Sequence, residues 1–394
     1  MKRNFTKLVS GILAGAMIVS MAACGGQPTE NAAEQPTEKA AGEAAETSEG
    51  QEAEMSTGQA EEKTGGKEDI SVGIVVKTAT NAHFQDIAYG AMLAGKELGI
   101  TVKVDNTTTE VDVEGQITKC ENLITSGVDG LILAANESDG VGAAVEAAYN
   151  AGIPFVAIDT VITNQWGDQE KEYLPTYISA EHTELAYHLA SQVFDELGGK
   201  GNVVVLRGVD AASSSQERTA GIEKAIEEYP DIIEVESQSA NYDQDTAATT
   251  MSDILQAHPD VDAVLCCNDL MAMGACTALE ENGKKVGGED GVLVAGMDGN
   301  IIAMESIAEG KMYATIYDGC ILWGYLGVKQ AYDMMDGKEV PELTMTTDTI
   351  ITHENVDDFL PHGREVAEWV MGDEIEEVSD YMLEFVKNEQ EKIK

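Results

Sequence analysis

The chain has 394 residues, 43% of them hydrophobic, and carries 71 acidic against 24 basic side chains for a formal net charge of −47. That surplus of negative charge excludes a general nucleic-acid binder, which needs a basic face, and opposes electrostatic adhesion to anionic lipid. Six cysteines without regular spacing do not make a disulfide framework.

At the N-terminus, Lys2, Arg3 and Lys7 precede a mostly apolar run over residues 8–21, and Met21, Ala22 and Ala23 lead into Cys24. A positive start, an apolar stretch and small residues at its end predict a secretory signal over 1–23. The run is too short and wrongly flanked to span a membrane. Met-Ala-Ala-Cys resembles the bacterial lipobox, which implies cleavage before Cys24 and a diacylglycerol on its thiol. The alternative is an ordinary signal peptide with an incidental cysteine. Residues 25–69 hold 12 acids, three lysines and no aromatic side chain. Such a segment cannot bury enough apolar surface to offset its ordering entropy, so 24–69 reads as an acidic, disordered stalk.

From residue 70, short apolar runs alternate with helical periodicity. Strands are expected over 71–76, 101–104, 130–134 and 154–158, with helices over 84–98, 117–124 and 141–149 between them. After a longer polar stretch, 159–175, a second series follows. Its strands fall at 202–206, 232–236, 261–266 and 291–295, and its helices at 181–197, 216–229, 246–257 and 270–281. Turn-bounded strands separated by helices of this length predict parallel βαβ units, here two successive α/β doubly wound, Rossmann-like lobes. The region beyond 352 carries two acidic amphipathic helical stretches, 365–371 and 378–386, expected to pack along one lobe.

In doubly wound sheets ligands sit at the carboxyl ends of the strands. The residues placed there are Asn81, His83 and Phe84, then Asn136 to Asp139 and Asp159, then Arg218, Tyr242, Asn268 and Asp298. No GxGxxG or GxxxxGK[ST] phosphate cradle, GxSxG elbow or HExxH motif occurs at these ends. No Cys/His grouping has zinc spacing, His182 and His188 being six apart, so neither metal nor cofactor is expected. Carboxylates, amides, an arginine and aromatic rings suit a neutral ligand rich in hydroxyls, held without chemistry. Each residue also has a plainer reading: Asn268 and Asp298 as helix caps, Arg218 as an ion pair, Phe84 as core.

Several segments resemble the periplasmic sugar-binding proteins of ribose- and galactose-binding type. They are Asn268-Asp269-Leu270-Met271-Ala272-Met273-Gly274-Ala275, Ala295-Gly296-Met297-Asp298-Gly299, Glu217-Arg218 and Lys311-Met312-Tyr313-Ala314-Thr315-Ile316. The resemblance implies two lobes joined by a three-crossover hinge, with 70–180 plus 319–348 in the first and 181–318 plus 349–394 in the second. It implies ligand contacts from Asn81, His83, Phe84, Asp159, Arg218, Tyr242, Asn268, Asp298 and, beside the hinge, Asp318. Thr160 stands where the ribose type has an arginine and Asp318 where it has an amide, which implies a less cationic pocket. The implied protein is a monomeric, extracytoplasmic solute-binding lipoprotein held to the outer face of the cell membrane through Cys24. It would hand a monosaccharide or polyol to the permease of an ABC transporter. The alternatives are a sensor subunit serving a membrane kinase or chemoreceptor, and, less favoured, a secreted carbohydrate-active enzyme.

Overall fold

The computed structural model describes residues 70–163, 166–375 and 377–394, so the signal, Cys24 and the stalk lie outside the described residues. In chain order, the first series comprises β1 (Ser71–Thr78), α1 (Ala82–Leu98), β2 (Thr101–Thr107), α2 (Val113–Thr125) and β3 (Gly130–Ala134). It continues with α3 (Gly142–Ala151), β4 (Phe155–Ile158), the single turn α4 (Glu170–Tyr173) and β5 (Tyr177–Ala180). The second comprises α5 (His182–Glu196), β6 (Lys200–Arg207), α6 (Ser213–Glu228), β7 (Asp231–Ser239) and α7 (Gln244–Ala257). It ends with β8 (Ala263–Cys266), α8 (Asp269–Glu281), β9 (Leu293–Ala295), α9 (Ile301–Ala308) and β10 (Ala314–Tyr317). The C-terminal part supplies α10 (Cys320–Met335), β11 (Leu343–Thr346), β12 (Thr349–Thr352), α11 (Val356–Glu368) and α12 (Asp380–Lys392).

These strands form two six-stranded sheets, ordered β11-β5-β4-β3-β1-β2 and β12-β10-β9-β8-β6-β7. All pairings are parallel except β10 with β12. The chain leaves the first sheet after β5, returns after β10 and crosses again between β11 and β12. The expected α/β fold of two doubly wound lobes with three crossovers is therefore present. β1 and β6 each lie between a strand formed immediately after them and one formed later, which makes them the switch points. Strands such as β3 and β8 are buried along their whole length, as parallel strands covered on both faces must be.

Helix α10 escaped the sequence pattern for a physical reason. Most of its side chains are buried, so it shows only a weak apolar stripe against a polar face. It lies against α1 at backbone contact. A Cβ on Gly90 would sit 1.9 Å from the carbonyl oxygen of Ile321, and one on Gly324 1.8 Å from that of Ile87. Gly90→Ala should therefore destabilise the fold by about 2–3 kcal/mol, the range for overpacking. Urea unfolding measures it; an unchanged midpoint would show that the two helices have room to separate.

The C-terminal stretch differs from expectation. Helix α11 starts nine residues before 365 and runs through Pro361, and it does not pack along one lobe only. His362 is buried among Tyr317 of β10, Phe359 and Phe385, and Gly363 abuts Ile301 of α9. On the other side, Tyr89 of α1 donates to Glu365 at 2.8 Å, and Trp369 meets the Tyr89 ring edge-on at 5.5 Å. Ser379, the cap of α12, also donates to Glu365. The extension thus touches the helical layers of both sheets. No helix among the described residues is long and apolar enough to cross a membrane.

Candidate functional site

The carboxyl ends of the two sheets face each other. Several bonds join them directly: Asn300 Nδ2 to Asn81 Oδ1 at 3.1 Å, Ser213 N to Ser138 Oγ at 3.0 Å, and Val161 N to Ser213 Oγ at 2.9 Å. Between the sheets lies a polar cavity lined by Asn81, His83, Phe84, Asp159, Arg218, Tyr242, Asn268 and Asp298. Eight of the nine residues expected at a binding site thus converge here. Asp318 stands just behind the wall, 3.0 Å from Arg218 Nη2.

Local geometry explains how each residue reaches the cavity. Asp159, Asn241, Tyr242 and Asp298 are the non-glycine residues with positive φ among the described residues, at 66°, 54°, 61° and 115°. All four follow strand ends. Such conformations are costly for residues with a Cβ and concentrate at functional sites. Asn268 caps α8, its Oδ1 accepting from Met271 N at 2.9 Å, while Nδ2 donates to the Tyr242 carbonyl. Asn81 caps α1 and donates to Glu110 Oε1 at 3.1 Å. The capping reading holds for Asn268 but not for Asp298, since Asn300 caps α9; Asn268 and Asn81 both cap helices and form cavity wall.

Arg218 is buried and fully engaged. Nη1 donates to Asp298 Oδ1 and to the Cys267 carbonyl, each at 2.7 Å, and Nε donates to His182 Nδ1 at 3.3 Å. The acceptor role of Nδ1 requires a neutral ring. Burial, then the Arg218 charge, pushes the His182 pKa down to about 3, which keeps it neutral. Asp318 receives the other arm of the guanidinium. Burial nonetheless raises its pKa well above the ordinary carboxylate value, against the pull of Arg218.

The sequence pattern passed over Lys77. It ends the buried strand β1, and its ammonium lies 2.6 Å from Asp159 Oδ2 and 2.9 Å from Thr160 Oγ1. Burial pushes the Asp159 carboxyl up, but the Lys77 charge overrides this and holds it below the ordinary range. The same ammonium sits between two rings, 5.5 Å from the Phe84 centroid and 5.8 Å from that of Tyr242, within cation–π range. The expected loss of cationic character is therefore corrected: Thr160 replaces an arginine, but Lys77 bonds to it and supplies the second cation. Ser214 and Glu110 also line the cavity, Glu110 from the loop after β2 that the expected set did not include. Burial raises Glu110 to about 8, against the opposing pull of Lys77, so it is mostly protonated at neutral pH.

The remaining free space is about 10 Å³, barely one water molecule's worth. A ring-sized guest enters only if the sheets part or Lys77 moves aside. His83, Asp318 and Cys320 bring one metal-binding atom each within 4.8 Å of one another, a grouping that spacing along the chain does not reveal. Arg218 bonds to the same Asp318 carboxylate, so its positive charge opposes a metal cation there. Trp166 stacks on Tyr173 and donates to Glu146, and is not among the residues lining the cavity.

Comparison with known proteins agrees with this architecture. The periplasmic binding protein domain matches residues 72–339, well over half of the chain. The chain belongs to that family. The ribose import binding protein of Bacillus subtilis (strain 168) is 32% identical over 274 residues, covering 70% of this chain and 84% of the relative. A xylitol-binding protein of Mycolicibacterium smegmatis is 29% identical over 64% of this chain and 69% of the relative. Among solved structures, an ABC transporter periplasmic solute-binding protein from Actinobacillus succinogenes, crystallised with D-allose, superposes with a TM-score of 0.67. It is 29% identical, over 73% of this chain and 99% of the other. Membership makes this a solute-binding protein of the type 1 fold, not an enzyme.

Proposed function

We propose that the protein is a lipid-anchored extracytoplasmic receptor that takes a monosaccharide or polyol between its lobes and delivers it to an ABC importer. One observation carries the reading: the carboxyl ends of both sheets converge on a single buried, hydrogen-bonding cavity flanked by Phe84 and Tyr242. Two cations paired with Asp159, Asp298 and Asp318 leave no surplus of positive charge there, which suits a neutral guest and disfavours phosphorylated sugars. The relatives named for ribose and xylitol, and the neighbour holding D-allose, support this ligand class. Asp159, Asp298, Arg218, Lys77, His83 and the amides would hydrogen-bond the hydroxyls while the rings cover apolar C–H faces. Closure would couple occupancy to permease recognition, because only the closed form presents contacts from both lobes at once. Cys24 would carry the anchor, and residues 25–69 would be the stalk.

Calorimetric titration of the purified protein against pentoses, hexoses, deoxysugars and polyols tests the ligand class. Micromolar or tighter binding of one member, about −8 kcal/mol or better, is expected. Silence across the whole panel rejects it. Metabolic labelling with a fatty-acid analogue tests the anchor: label should enter the native chain and be absent from Cys24→Ser. Equal labelling of both would rule Cys24 out.

A further inference from the structure

We propose that the mouth of the cleft is a second, outer subsite accepting a substituent carried by the sugar, so that glycosides or disaccharides are bound as well as free monosaccharides. The proposal rests on reading the inner cavity as a sugar site.

The two sheets are hinged at one edge and open at the other. β11 and β12, where the last crossover runs, lie at one end of each strand order, and β2 and β7 lie at the opposite end. The loops leaving β2 and β7 enclose a second cavity of about 240 Å³, far roomier than the inner one. Its walls come from both lobes, with Thr80 and Thr109 on one side and Asn241 and Thr246 on the other. Glu110 and Tyr242 line both cavities and form the partition between them. The outer cavity therefore lies on the side away from the hinge, directly beyond those two residues.

The chemistry of the outer walls fits a sugar-borne group. Threonines present a methyl beside a hydroxyl, matching the alternating C–H and O–H surface of a sugar or short alkoxy group. Thr109 is exposed and lines this cavity. The partition is also a place where the backbone is held in a costly shape. Asn241 and Tyr242 are consecutive left-handed residues, a combination that persists only where surrounding structure enforces it. It places the Tyr242 ring as wall to both chambers, so a linkage leaving the inner ring would pass along that aromatic face.

The test uses D-ribose, D-xylose, D-allose and D-galactose, each titrated beside both anomers of its methyl and phenyl glycosides. For a sugar that binds, one anomeric glycoside should bind within about tenfold of the free sugar. Thr109→Trp, at an exposed position, should fill the outer cavity and weaken that glycoside by more than about tenfold while free sugar stays within about threefold. Free sugar bound with every glycoside excluded overturns the outer subsite alone. An equal loss of both ligands in Thr109→Trp overturns it too. Failure of every sugar and every glycoside removes the inner reading along with it.

Discussion

Replacing Arg218 with alanine should destabilise the protein by about 3–5 kcal/mol and abolish ligand binding, the largest effect expected of any single substitution in the cleft. The guanidinium holds together Asp298, Asp318, the Cys267 carbonyl and His182 inside a region closed to solvent. Its removal leaves two carboxyl groups buried without their cation, and that uncompensated burial is the source of the cost. The deficit should also depend on pH. Burial already raises the Asp318 pKa against the pull of Arg218, so without that charge it rises further, and the variant loses more stability than the parent as pH rises above the unfolded carboxyl value. Lysine at 218 should not rescue, because a single ammonium cannot fork between Asp298 and Asp318 while reaching the Cys267 carbonyl. Urea unfolding at several pH values decides the matter. A variant as stable as the parent would mean the network has no structural weight, and retained binding would remove Arg218 from the site.

Lys77→Met should cost about 3 kcal/mol near neutral pH and reverse the sign of one contribution to the pH–stability curve. In the parent, burial opposes and Lys77 overrides, so the Asp159 pKa lies below its ordinary 3.8. A depressed folded pKa contributes stability that is present above pH 3.8 and lost as pH falls below it. Without the ammonium, burial, the largest influence on Asp159, is no longer overridden, the folded pKa rises above 3.8, and stability is lost as pH rises. Glu110 and Asp86, both raised to about 8 by burial, already give the parent a slope of that second kind between roughly pH 4 and 8. The informative quantity is therefore the difference between parent and variant curves. Adding Asp159→Asn to Lys77→Met should restore most of the loss. Parallel curves for parent and single variant would show that Lys77 does not set the Asp159 charge.

The fold was legible in the sequence because buried parallel strands are short apolar runs, and those are easily bounded by their turns. The first four runs recur as β1 to β4, and the second series recurs as β6 to β9 with the helices between them. Of what escaped, α10 is mostly buried and shows only a weak stripe, β5 hides behind the long loop after β4, and α11, although amphipathic, carries Pro361 and Gly363 inside it. The cavity was largely legible for a different reason: strand ends in a doubly wound sheet are where ligands go, so reading off the polar residues there collected Asp159, Tyr242, Asn268 and Asp298. Lys77 falls one residue beyond the strand expected over 71–76, and a lysine is seldom buried, so the pattern gives it no place in the cavity. Its position after five buried residues, at the carboxyl end of a switch-point strand, was the available signal. His182 was weighed only for metal spacing, and its bond to Arg218 spans 36 residues.

The tail that follows the last crossover joins two bodies whose parting is one of the two ways to admit a guest. Tyr89 is held by Glu365 on one side, and Tyr317 packs against His362 one turn earlier on the other. A swing that carries the α1 layer away from β10 must break one of these attachments or bend α11 between them. The work of opening is therefore set in part by residues beyond 352, none of which lines the cavity. A chain trimmed at that point would sit at a different balance of open and shut forms, and its measured affinity would describe that shorter molecule instead of the native one.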